Sequence, residues 1–186
     1  MIPAGELSGD VTIETQLYNT SGETVTVAAP VELTSSSFVD VAVSDLAGSG
    51  TTDDPYVITN ASELQAIDDN LTANYTLRND IDASKTSDWN YGLGFNPIGA
   101  ESASGGISTQ ASGFNGSFDG NGHTISGLTI NRSTAYRVGL FGAVESPGEI
   151  TNITLTNVTV HGTYIVGGLV GSNGEIGLLG GFSAHG

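Results

Sequence analysis

The string Asp119-Gly-Asn-Gly-His123 sets a carboxylate four residues ahead of an imidazole. That spacing could serve an acid–base pair, or Asp119 and Asn121 could offer oxygens to a hard cation. The same residues also spell a tight turn, in which Asp and Asn bond their own backbone while Gly120 and Gly122 supply positive φ. The turn is the favoured reading. Asp80 and Asp82 stand two apart, so on a strand both point to one side, as a calcium site or a catalytic carboxylate pair requires. Asp53-Asp54 and Asp68-Asp69 are further acidic pairs, and in so acidic a chain such pairs more often mean a solvated face. His161 and His185 lack zinc-site spacing, and the chain has no cysteine. No resident cofactor is expected, and calcium at Asp80 and Asp82 is the one cation to test.

Trp89, Tyr91 and Phe95 fall in a Gly- and Ser-rich stretch, residues 83–113, that reads as a long loop or insertion. Three rings on a polar loop would make a receptor platform on which a sugar stacks. The other reading folds them inward as a plug over the open end of the domain, and it is preferred. Eight N-x-Ser/Thr sequons occur, at Asn19, Asn60, Asn70, Asn74, Asn115, Asn131, Asn152 and Asn157. They mark a glycosylated surface, or the polar side of strands in which Asn and Thr alternate.

Charge narrows the setting of any such site. Twenty acidic residues face four basic ones, for a net charge of −16 over 186 residues. That excess repels nucleic acid and anionic bilayers. Molar salt shortens the Debye length to roughly 3 Å and removes most of the self-repulsion, so the balance points to a halophile. Met1-Ile-Pro-Ala-Gly-Glu6 carries neither the basic cluster nor the apolar run of a signal peptide, and no stretch is apolar enough to cross a membrane as a helix. The expectation is an extracellular protein that does not insert into membranes.

The elements that must position these residues divide unequally. Residues 1–47 carry period-two apolar runs: Val11, Ile13 and Leu17; Val25 and Val27; Val31 and Leu33; Val39, Val41 and Val43. These predict short antiparallel strands, too few to close a core, and hence an attachment region that pairs with another copy or a separate structural protein; the rival reading folds the leader back as a cap on the main domain. The stretch Gly48-Ser-Gly-Thr-Thr-Asp-Asp-Pro55 is the boundary, and residues 48–186 form the main domain. There Tyr56-Val57-Ile58 is a strand. Asn60 or Ser62 then caps one short helix carrying Leu64, Ile67 and Leu71 at helical spacing, and Tyr75–Ile81 returns to strand.

From residue 114 a repeat emerges. Thr124-Ile-Ser-Gly-Leu-Thr-Ile130 matches Glu149-Ile-Thr-Asn-Ile-Thr-Leu155, 25 positions on, and Gly139-Leu-Phe-Gly142 matches Gly168-Leu-Val-Gly171, 29 positions on. Ile176 and Leu179 begin a third copy. Strand composition at this period means a solenoid whose stacked coils bury Ile125, Leu128, Ile130, Ile150, Ile153 and Leu155. The string Phe114-Asn-Gly-Ser-Phe-Asp-Gly-Asn-Gly-His-Thr-Ile125, followed by those two glycine motifs, resembles the GLUG-motif repeat family. Asp54-Pro-Tyr-Val-Ile58, Leu77-Arg-Asn-Asp-Ile-Asp82 and Pro97-Ile-Gly99 are similar to the lead-in of such repeats, so the resemblance covers residues 48–176. It implies a β-helix of large microbial surface proteins and adhesins, also attached as a non-catalytic region to some secreted peptidases.

The expected protein is therefore all-β: a right-handed parallel β-helix with one short capping α-helix and a small N-terminal antiparallel region. Its expected role is non-catalytic, a structural or adhesive part of a virion fibre, spike or baseplate, or of a cell surface. It would form homo-oligomers and meet a surface glycan or glycoprotein. The alternative is a β-helix enzyme that binds or degrades polysaccharide.

Overall fold

The computed structural model describes residues 16–18, 24–26, 41–100, 113–174, 178–180 and 183–185. Contacts divide the chain into two compact units, Met1–Ser35 and Ser36–Gly186, a division that precedes the composition break at Gly48. In the first unit β1 (Gln16–Tyr18) and β2 (Thr24–Thr26) pair antiparallel with Leu17 opposite Val25. Val11, Ile13, Val27, Val31, Leu33, Val39 and the Asn19 sequon lie outside the described residues.

The predicted strand through Val41 and Val43 is a 3-10 turn instead, Val43–Asp45. Its amides find carboxylates rather than a ladder: Ala42 N donates to Asp45 Oδ2 and Val43 N to Asp69 Oδ2, both at 3.3 Å. Leu46 then enters the core, with Val41 and Val43 packed against it.

After β3 (Tyr56–Ile58) the short helix α1 (Ala61–Gln65) starts at Asn60. Asn60 Oδ1 accepts from the amides of Ser62 and Glu63, a cap worth about 1 kcal/mol. The Glu63 carboxylate reaches back to Thr59 N at 2.7 Å. The helix tightens into a 3-10 turn, Ala66–Asp69, which buries Leu64 and Ile67 and leaves Leu71 beyond its end.

The remaining elements are β4 (Asn74–Leu77), β5 (Ile81–Asp82), β6 (Ser117–Asp119), β7 (Thr124–Ser126), β8 (Thr129–Arg132), β9 (Arg137–Val138), β10 (Phe141–Val144), β11 (Glu149–Thr151), β12 (Thr154–Thr156), β13 (Thr159–Gly162), β14 (Ile165–Val166), β15 (Val170–Asn173), β16 (Leu178–Gly180) and β17 (Ser183–His185). They form narrow parallel sheets, in the orders β16-β11-β6-β4-β3 and β17-β12-β7-β5, with the pairs β13-β8, β14-β9 and β10-β15. Each pass of the chain lies in register on the one before. Tyr75, Phe118 and Ile150 make one inward column, and Ile81, Ile125 and Leu155 another. Phe141 stands opposite Val170, as the glycine motifs require.

All six residues expected to point inward are buried, but the predicted alignment of two strings fails. Ile125 pairs with Leu155 and Ile130 with Val160, whereas Ile150 pairs with Phe118 and, through the backbone, with Leu179. The counterpart of Thr124-Ile-Ser-Gly-Leu-Thr-Ile130 is Thr154-Leu-Thr-Asn-Val-Thr-Val160, 30 positions on; the string at Glu149 begins one strand earlier in its pass, on the level of β6. Ile176 lies outside the described residues.

Part of the stretch read as an insertion is wall, and residues 101–112 of it lie outside the described residues. Phe95 N donates to Thr129 O, Ile98 N to Leu140 O and Phe114 N to Ala143 O, at 2.8–2.9 Å, so residues 94–98 and 114 occupy the level above β8 and β10. Phe95, Ile98 and Phe114 are buried. Gly94 has φ +78°, and a Cβ there would collide with the Thr129 carbonyl. Inside, Tyr75, Phe114, Phe141 and Phe118 form a continuous run of tilted rings, with centroids 6.2, 5.0 and 5.4 Å apart.

Candidate functional site

The Asp119–His123 string folds as a turn. Asp119 ends β6, and its Oδ1 accepts from Asn121 N at 2.8 Å and from Asn152 Nδ2 at 3.0 Å. Asn121 and Gly122 take φ of +50° and +77°. Asp119 and His123 are not paired with each other. His123 Nδ1 instead meets Asp80 Oδ1 at 3.2 Å, and that oxygen also accepts from Thr124 N at 2.9 Å. The Thr124 amide first, and the imidazole second, hold the Asp80 carboxyl below the usual carboxylate range. The pair joins residues 43 apart in sequence, and the register of Ile81 on Ile125 brings them side by side.

Asp80 and Asp82 are not brought to one site. Asp80 lies in the turn before β5 and serves the start of β7. The Asp82 carboxylate accepts from Ser84 N at 2.9 Å, and that bond lowers its pKa. Among the described residues no three His, Cys, Asp or Glu side chains gather as a metal would need.

The three aromatics part company as well. Trp89 is 6% exposed and Phe95 0%, their rings stacked with centroids 6.1 Å apart, while Tyr91 projects fully into solvent. Asn90 and Tyr91 both adopt left-handed φ, +52° and +59°, which turns Tyr91 out. A platform of all three is not formed.

The described sequons fall into two groups. Asn60 caps α1, and the Nδ2 groups of Asn74 and Asn152 donate to Gly50 O and Asp119. Asn70 Oδ1 holds Thr72, and Asn115 is half-buried. Asn131 and Asn157 are exposed and keep their side chains outside such bonds. Asn157, at φ +52°, turns the corner after β12 as Gly127 does one level earlier at φ +72°.

One concave site was not foreseen. A cleft of about 260 Å³ in the second unit is lined by Val41, Ala66, Asp68, Asp69, Asn90, Asn96 and Arg132, together with Gln65. The Gln65 amide fixes its floor: Nε2 donates to Asn96 O at 2.9 Å, and Asn96 N donates to Oε1 at 2.8 Å. Asp68 Oδ1 accepts from Gly99 N at 2.8 Å, and burial still raises its pKa above the usual value. Arg132 is half-buried at the end of β8, and burial lowers its pKa. Its Nη2 donates to Gly94 O at 3.3 Å, its Nε is buried without a partner, and among the described residues no carboxylate lies within ion-pair distance. A sequence signal existed only in part, since Asp68-Asp69 is visible but its neighbour Arg132 is remote along the chain.

No protein-family model matches the chain. Over 131 residues, 68% of the chain, it is 47% identical to Halomucin of Haloquadratum walsbyi. Over 131 residues it is 36% identical to a protein of Evansella cellulosilytica named as a Gly-rich membrane protein. The chain spans 1% and 14% of these two relatives. Among solved structures it is similar to a Bacteroides ovatus protein described as an immunoglobulin A1 protease, with 24% identity and a TM-score of 0.46 over 62% of this chain and 30% of that one.

Proposed function

We propose that this chain is a non-catalytic, extracellular structural module of a halophile, a right-handed parallel β-helix of the GLUG type in a surface protein. The observation that carries the reading is the in-register stacking of successive passes, with Tyr75, Phe118 and Ile150 in one buried column and Ile81, Ile125 and Leu155 in the next. Stacking of this kind makes a stiff body that lengthens one level at a time, as a spacer outside a cell needs. The right hand follows from the general handedness of parallel crossovers. The carboxylates that could have done chemistry are spent on turns: Asp80 on Thr124, Asp82 on Ser84, Asp119 on Asn121.

The relatives support the setting. One is named Halomucin and the other a membrane protein, and a charge of −16 suits a surface bathed in salt. We assign the surface to a cell rather than a virion on those names. Fractionating source cells and any particles they release, with an antibody against this chain, tests the assignment. Recovery in the envelope is expected; recovery in the cytoplasm or only in virions would overturn it.

A further inference from the structure

The cleft beside α1 has a chemistry that a spacer does not need. Arg132 brings five N–H donors, of which one makes a hydrogen bond at 3.3 Å. In a chain with 20 acidic residues it forms no ion pair among the described residues, although Asp68 and Asp69 line the same cleft. Opposite charges that share a wall and stay apart leave a gap with donors on one side and acceptors on the other. The Asn90 amide adds to the acceptor side, because its Nδ2 is committed to Gly94 O at 2.7 Å and its Oδ1 is left over. Asn96 adds both kinds of atom: its backbone is pinned by Gln65, its Nδ2 donates one hydrogen to Asp68 Oδ2 at 3.4 Å, and the second Nδ2 hydrogen is left for a ligand. Val41 and Ala66 supply a small apolar surface.

We propose that the cleft binds one neutral sugar ring, with vicinal hydroxyls accepting from Arg132 and Asn96 and donating to Asp68 and Asn90. A hydroxyl is at once donor and acceptor, so a polyol satisfies both sides, whereas an anion satisfies only Arg132 and a cation only the aspartates. The size agrees: about 260 Å³ lies below the roughly 300–1,000 Å³ of sites for drug-sized ligands, which suits one ring or the tip of a glycan. Two carboxylates against one guanidinium, within a chain of net charge −16, select against acidic sugars. The inference does not depend on the module's location or on its stacking hand.

The test is ligand-observed NMR and calorimetry on the full chain in molar KCl, with glucose, galactose and mannose as neutral probes and glucuronate and glucosamine as charged ones. At least one neutral hexose is expected to bind with Kd of about 1–10 mM, at least fivefold tighter than its charged counterparts. Arg132→Gln should weaken that binding at least tenfold. If Arg132→Gln does not fold, Asn90→Gly decides, since glycine keeps the left-handed backbone and removes the acceptor; a loss of about fivefold or more is expected. Absence of neutral hexose binding up to about 100 mM, tighter binding of glucuronate or glucosamine, or unchanged affinity in the folded variants would each overturn the assignment.

Discussion

Phe118 is where the stacking can be tested most directly. It sits fully buried on β6 between Tyr75 and Ile150, with its ring edge-on to Phe141 at 5.4 Å. Phe118→Ala removes the ring's transfer energy and leaves a cavity that two neighbouring levels cannot fill, because their backbones are fixed by parallel ladders. Truncations of this kind cost about 3–5 kcal/mol. Against a typical total of about 5–15 kcal/mol the variant should be marginal, its midpoint lower by about 6–20 °C. Phe118→Leu keeps most of the volume and should cost under about 1.5 kcal/mol beyond the lost ring contact. A double-mutant cycle of Phe118→Leu with Phe141→Leu isolates that contact, and a coupling of about 0.5–1.5 kcal/mol is expected. Urea melts at constant molar KCl measure all four proteins. A cost for Phe118→Ala below about 1.5 kcal/mol, or strict additivity in the cycle, would refute a close-packed column through the levels.

Four other outcomes follow from the same geometry. The melting midpoint should fall steeply as salt drops from molar to about 0.1 M, because 16 net charges lose their screening; a flat profile by calorimetry counts against halophily. Asp80 has a folded pKa below its ordinary value of about 3.9, so the stability it supplies is present above that value and lost as pH falls through the lowered one. Asp80→Asn should therefore be less stable than the parent at pH 6, with the gap closing below about pH 4, as read from urea midpoints across pH. Ile153→Asp buries an unpaired carboxylate in the core and should leave no folded protein by circular dichroism. If the first unit is an attachment region, the full chain should self-associate in sedimentation and deletion of residues 1–35 should leave a folded monomer; a deletion through residue 46 would also remove Leu46 from the core and is the wrong cut.

Much of the β content was legible because stacked parallel strands demand local signals. Apolar residues at period two and a capped single helix are short-range signals, and Asn60 stands where such a signal puts it. Register was not legible. The heptapeptide at Thr124 resembles the one at Glu149, yet its stacked partner is Thr154–Val160, because successive strands of one pass share a five-residue apolar spacing and resemble one another as closely as their stacked counterparts do. Matching strings weighs residue types, and a pattern that recurs every five residues, as at Ile150, Leu155 and Val160, lets a match slip by one strand. A different cause hid residues 94–98 as wall: with Gly and Ser around them they look like loop, and only the open edges of β8 and β10 call for strand-like partners there.

The candidate sites fail or succeed on the same ground. Asp80 and Asp82 share a face only if both lie in one strand, and β5 contains just Ile81 and Asp82. Trp89, Tyr91 and Phe95 share a face only if the segment runs evenly, and two consecutive left-handed residues turn Tyr91 away from the other two. Chemistry read along the chain presumes regular backbone, and turns break that presumption at the residues most able to do chemistry. The cleft is the converse case. Asp68 lies past the end of α1 and Arg132 at the end of β8, and neither has a signature by itself. They meet because the segment from Asn90 to Gly99 bonds to both neighbours, Gly94 O accepting from Arg132 and Gly99 N donating to Asp68. A polar site assembled by a segment that sequence reads as loop is invisible until the ladder that straightens the segment is known.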